Sequence, residues 1–265
     1  MALRTSTGFR DLDTILGRIE PQSIFTVAGR LRDDRTSFLL TMAYHVAVCQ
    51  GQPVIFLSLE QTKHELRRHV ERMDAFYRTL PRRGDRFVPL YRHGYHADIF
   101  INDSIRTVEW IERAIRNEMA ALGEPPGLIV IDNYLAIGTT LTLPIDQEAR
   151  LICQRLRQIA NTLKVSIVTS LLLPLAPSYR PLTLNDMGHA ELLDAVSDVV
   201  AFLHQPDLFD GKQLPDLAAP RVVEVHIAKH RHGPVGVVPL LYDPAARFYW
   251  DLHVAGPTHA DGPQS

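Results

Sequence analysis

The 265 residues are 46% hydrophobic and 22% charged, enough to bury one substantial core and typical of an α/β domain. A net charge of −2 and a pI near 6.6 exclude the global basic field that drives nonspecific nucleic-acid binding, so any DNA contact must be local. Cys49 and Cys153 are the only two cysteines; their separation argues against a disulfide framework or zinc site, and no apolar run approaches the roughly 20 residues that span a bilayer.

In chain order, short apolar runs alternate with amphipathic stretches, the pattern of βαβ units with a parallel sheet between helical layers. The predicted strands are Ile24–Ala28, Val54–Leu59, Ile99–Ile101, Leu128–Ile131, Ser166–Ser170, Val199–Leu203, Val222–Ala228 and Val237–Tyr242, the last two antiparallel. Apolar spacings of three and four predict helices over Ser37–Gln50, Lys63–Leu80, Thr107–Leu122 and Asp146–Leu163. Pro and Gly mark loops at Gly123–Gly127, Gly138–Pro144, Pro174–Pro181 and Pro206–Pro220. One domain over 1–254 is expected, followed by a Gly-, Pro- and His-rich tail at 255–265 too poor in apolar side chains to order.

The first strand runs into Gly29-Arg30-Leu31-Arg32-Asp33-Asp34-Arg35-Thr36-Ser37 and a helix, the context of a phosphate-binding loop. Gly29 and Thr36 fit the pattern GxxxxGK[ST]; Asp34 stands in place of the second Gly and Arg35 in place of the Lys. Further along come Phe56-Leu57-Ser58-Leu59-Glu60 after the second strand and Leu128-Ile129-Val130-Ile131-Asp132. A carboxylate closing four apolar residues belongs at a strand's C-terminal edge, where α/β ligands bind.

With Thr7-Gly8-Phe9-Arg10-Asp11-Leu12-Asp13, Arg180-Pro181, the stretch Asp186–Asp198 and Lys229-His230-Arg231-His232-Gly233-Pro234-Val235-Gly236, these motifs occur in an order and spacing that resembles the C-terminal ATPase domain of DnaB-type replicative helicases. The resemblance implies a RecA-like P-loop NTPase fold, with ATP and Mg²⁺ as cofactors; the cytoplasmic setting is expected instead from an N-terminus without an apolar core and from the lack of any membrane-spanning run. The resemblance also implies that Gly29, Asp34, Arg35, Thr36 and Ser37 form the nucleotide loop, that Thr36 and Asp132 hold the metal, and that Glu60 polarises the attacking water. Lys229 and Arg231 correspond to a basic pair projected into a neighbouring subunit's nucleotide, which makes a second copy or a replicative helicase the expected partner. The chain is read as the motor domain alone, without the family's N-terminal helical domain.

Three departures bear on activity. A Gly at position 34 would take backbone angles that cost a side-chain-bearing residue about 1 kcal/mol or more, and Asp34 is expected to turn a carboxylate toward the phosphates, with Arg35 pairing to Asp33 or Asp34. Leu171 replaces a family Gln that senses the nucleotide. In the family's DNA-facing loop, Gly188, His189 and Glu191 replace Arg, Glu and Gly, so the phosphate-gripping Arg is absent and single-stranded DNA binding is expected to be weak. These losses point to a non-motor homologue, a pseudoenzyme acting in replication or recombination assemblies. The alternatives are an active ATP-dependent DNA helicase and a recombinase-like or clock-like ATPase of the same fold. The basic segment from Arg67 to Arg86 reads as a solvated face, and the scattered histidines, including His93-x-x-His96, as no metal site.

Overall fold

A computed structural model describes residues 4–31, 33–79, 98–174, 180–206 and 218–252. The tail 255–265, the basic stretch 82–86 and the His93/His96 pair lie outside the described residues, as does Arg32. Six parallel strands come first in the sheet: β1 (Ile24–Gly29), β2 (Val54–Ser58), β3 (Ile99–Asn102), β4 (Leu128–Asp132), β5 (Ile167–Leu172) and β6 (Val199–His204). Antiparallel β7 (Arg221–His230), β8 (Gly236–Asp243) and β9 (Phe248–Asp251) extend it, giving the order β3-β2-β4-β5-β1-β6-β7-β8-β9.

The parallel strands read as unbroken apolar runs because both faces are covered. Phe25, Val27, Val54, Phe56 and Val130 point to one layer, with α1 (Arg10–Leu16), α2 (Arg35–Tyr44) and α3 (Lys63–Thr79). Ile24, Ala28, Ile55, Leu57, Ile129 and Ile131 point to the other, with α4 (Val108–Leu122), α5 (Ile145–Leu163) and α6 (Glu191–Val196). Neighbouring residues on a strand face opposite layers, as the two-residue period requires.

The described elements follow the predicted ones closely, with additions besides two short 3-10 turns at Tyr134–Ala136 and Leu184–Ala190. Helices α1 and α6, seven and six residues long, are too short to show a helical period, and β9 follows β8 after a four-residue turn. The helix predicted over Ser37–Gln50 divides at Tyr44, where a π-helical turn, His45–Cys49, takes over. Gly8 in the N-terminal motif has φ 89°, and a Cβ there would lie 2.3 Å from the His45 ring, so chain direction and packing both require glycine. Both cysteines are buried free thiols.

Candidate active site

The turn from β1 to α2 sets Arg30, Asp33, Asp34, Arg35 and Thr36 at the C-terminal edge of the parallel strands, where α/β proteins bind ligands. Asp33 folds back into the turn: its carboxylate accepts the Arg30 backbone N–H at 2.6 Å, and the residue is 1% exposed. Burial pushes that carboxyl up to about 6, against the lowering effect of the Arg30 amide and the Arg30 and Arg35 charges. A Cβ built on Gly29 would meet Asp33 Cβ at 3.0 Å and Arg35 Cγ at 3.3 Å, so both side chains pack against the bare glycine backbone. The Arg35 Nη1 donates to the carbonyls of Gly29 at 3.0 Å and Arg30 at 2.7 Å. Burial lowers its proton affinity, while Asp132 and Glu60 act in the opposite direction.

Asp34 takes the left-handed backbone expected of the missing glycine, φ 48° and ψ 39°. Its carboxylate, expected from sequence to face the phosphates, is instead paired with the Arg221 Nη2 at 3.1 Å, and the Arg221 guanidinium in turn lies 4.9 Å from the centre of the Tyr242 ring. Burial raises the Asp34 carboxyl and Arg221 opposes this. The expected pairing of Arg35 with Asp33 or Asp34 is likewise replaced by its two bonds to backbone carbonyls. Arg221 carried no sequence signal, because its partner is 187 residues away.

Beside the loop, Asp132 ends β4 fully buried. Thr36 Oγ1 donates to its Oδ2 at 2.6 Å, and the Ser170 hydroxyl of β5 donates to its Oδ1. Burial raises this carboxyl, against the two hydroxyl donors. Asn133 donates through Nδ2 to Glu60 Oε1 at 2.6 Å, while its own Oδ1 accepts the Leu135 N–H at 2.7 Å. Thr36 and Asp132 are thus in contact, Glu60 lies beside them through Asn133, and Ser170 and Asn133 are members that the sequence did not single out. Ser37 is buried in the first turn of α2. Leu171 is fully buried among the apolar side chains beneath the site.

Lys229 and Arg231 are elsewhere. Val199 and Val200, at the start of β6, pair with His230 and Lys229, so the two basic groups lie toward the other end of the strands from Gly29, about 10 Å (Lys229) and about 17 Å (Arg231) away along the strand direction. Lys229 Nζ donates to the Asp194 carbonyl at 2.6 Å and carboxylate at 3.0 Å; Arg231 bridges to Asp198 Oδ1 at 2.9 Å. Gly188 lies inside a short helix, Leu184–Ala190, with φ 49°, His189 follows it, and Glu191 opens α6 exposed. That helix is capped by Thr183 and Asp186, and Arg180 grips Asp186 with both nitrogens, at 2.7 and 2.9 Å. This bridge holds the Asp186 carboxyl well below the usual range.

A mostly parallel sheet with antiparallel strands at its C-terminal side, helices on both faces and a loop of this kind after the first strand defines a RecA-like ATPase-type domain. Solved structures share that fold: one ATPase domain superposes with a TM-score of 0.75 at 22% identity, covering 94% of this chain and 91% of that one. A KaiC-like protein from Pyrococcus horikoshii gives 0.64 at 16% identity, covering 94% and 99%. The family model of the DnaB-like helicase C-terminal domain matches residues 5–250, and the chain belongs to that family. It is 28% identical over 258 residues to the replicative DNA helicase DnaB of Geobacillus stearothermophilus, covering 89% of this chain and 54% of the relative. With a probable replicative DNA helicase of Trieres chinensis it shares 26% over 255 residues, covering 90% and 55%. The chain thus spans about half the length of the curated relatives it matches.

Proposed function

We propose that this DnaB-like C-terminal domain is a non-motor homologue with weak or absent ATPase activity, acting in cytoplasmic DNA replication or recombination assemblies. The observation that carries this reading is the filled loop: Asp33 takes the Arg30 N–H and Arg35 takes the Gly29 and Arg30 carbonyls. The side chains suited to Mg²⁺, Thr36 and Asp132, are adjacent and correctly typed. The loop itself does not fit a triphosphate in this arrangement, since a buried carboxylate and a folded-back guanidinium fill the space behind Gly29. Asp34 contributes by holding the left-handed turn and anchoring it to Arg221, not by repelling phosphate directly.

Lys229 and Arg231, at the edge away from their own loop, suit a contact to a second copy or to a replicative helicase. The solved DnaB-like replicative helicase whose interactions with primase were described resembles this chain at a TM-score of 0.75. Single-stranded DNA is a weak ligand at most on this reading, because Gly188 offers no side chain where an Arg would grip phosphate. A second reading, an active ATP-dependent DNA helicase, is favoured by the Thr36–Asp132 contact and by Glu60 beside it, held by Asn133. The test is steady-state ATP turnover with and without single-stranded DNA, against a Glu60→Gln control. The non-motor reading expects turnover within a few-fold of the control; turnover about tenfold or more above it would overturn that reading in favour of an active, DNA-stimulated ATPase.

A further inference from the structure

We infer that Asp33 is a built-in anion that bars phosphate ligands from the loop, so that this side chain, more than the Gly-to-Asp change at 34, decides what the site accepts. The inference rests on the proposed reading of the loop as closed, and adds what closes it.

Four observations converge on Asp33. Its Oδ2 accepts the Arg30 N–H at 2.6 Å, so one amide of the turn is already satisfied by a carboxylate. The Gly29 backbone is covered by the same side chain, whose Cβ and Oδ2 lie 3.0 and 3.2 Å from the place a Cβ on Gly29 would occupy. The Asp33 backbone is held from both sides: its N–H donates to the Arg30 carbonyl at 3.1 Å, and its carbonyl accepts the buried Tyr249 hydroxyl at 3.3 Å. Asp34, by contrast, has its carboxylate engaged by the Arg221 guanidinium. A phosphate entering the turn therefore meets a buried negative group at close range with little water between, where like charges repel most strongly.

The test uses the full chain and two neutral substitutions. Asp33→Asn keeps the shape and one acceptor for the Arg30 amide; Asp33→Gly removes the side chain. Thermal melts first establish that each folds, and calorimetric titration with Mg-ATP and with inorganic phosphate follows. The expected result is that both variants bind at least about tenfold more tightly than the parent chain, with Asp33→Gly the tighter. Folded variants that bind no better than the parent overturn the inference, as does a parent chain that already binds as well as they do. The parent chain supplies an arm that needs no substitution. Its Arg30 amide is expected at a downfield ¹H–¹⁵N position unmoved by added phosphate, and displacement of that resonance by phosphate overturns the inference. The two readings fail separately: turnover above the Glu60→Gln control sinks the non-motor reading, whereas unimproved binding in folded Asp33 variants that still show no turnover sinks only the role of Asp33.

Discussion

Asp34 illustrates two opposing effects at one residue. Replacing it by Gly relaxes a left-handed backbone, a gain of about 1 kcal/mol. The same change removes the carboxylate that compensates Arg221, whose side chain is 10% exposed, and loss of such a partner costs about 3 kcal/mol. Asp34→Gly is therefore expected to lower the unfolding free energy in urea by about 2 kcal/mol, and adding Arg221→Met to recover most of it; stabilisation by Asp34→Gly alone would refute the pairing. Asp33 gives a pH signature. Its folded-state carboxyl is raised to about 6 from 3.8, so the native protein holds the extra proton between those values. The group's ionisation thus costs stability as pH rises through about 6, and stability returns as pH falls toward about 4, by up to about 3 kcal/mol. Melting curves across that window should show this component in the parent chain and not in Asp33→Asn. At this scale the loop motif and the carboxylates Glu60 and Asp132 beside it were legible from sequence, but the Ser170 hydroxyl was not. The directions of Asp33, Asp34 and Arg35 were not legible, since they are fixed by Tyr249, Arg221 and backbone carbonyls brought in by the fold.

Elements were more legible than side-chain directions, because the periods of two and of 3.6 are written in the apolar positions themselves. The misses, α1, α6 and β9, are short and held by tertiary packing: β9 lies under α2, with Tyr249 edge-on to Phe38 at 5.4 Å between centroids. Gly8 shows how the segment before α1 is fitted to the π-helical turn that follows α2. Gly8→Ala adds a methyl group to a φ of 89° and drives it into the His45 ring, and is expected to destabilise by at least about 3 kcal/mol. A second prediction concerns α3, whose buried His69 donates through Nε2 to the Arg247 carbonyl at 2.9 Å, in the turn before β9. Burial depresses this imidazole to about 4 from 6.5, so the unfolded chain takes the proton first. The contribution is intact above about 6.5 and is lost as pH falls toward 4, by up to about 3 kcal/mol, opposite in sign to Asp33. Following His69 by NMR should show it still neutral at pH 5; a titration midpoint near 6.5 would remove this source of acid lability.

Across the whole molecule, Asp198 joins parts distant in sequence. Its Oδ2 accepts the Ile24 N–H at 2.9 Å and Arg157 Nη2 at 2.8 Å, its Oδ1 accepts Arg231 at 2.9 Å, and its carbonyl accepts the Arg231 N–H. Asp198→Asn should cost about 3 kcal/mol, since it leaves the half-buried Arg157 without its counter-charge. Arg231→Ala, removing a side chain 42% exposed, should cost under about 1 kcal/mol. If Arg231 serves a neighbouring copy, light scattering should detect weakened self-association in the alanine variant while its denaturation midpoint scarcely moves.

The antiparallel strands are more than an edge extension of the sheet. Arg221 opens β7, Tyr242 lies on β8 and Tyr249 on β9, and all three bear on the underside of the turn that holds Asp33 and Asp34. The turn thus sits on a three-legged mount whose feet belong to the C-terminal ribbon. Anything that grips that ribbon and tilts it would tilt the turn as well, giving a remote partner a mechanical handle on the site without touching it.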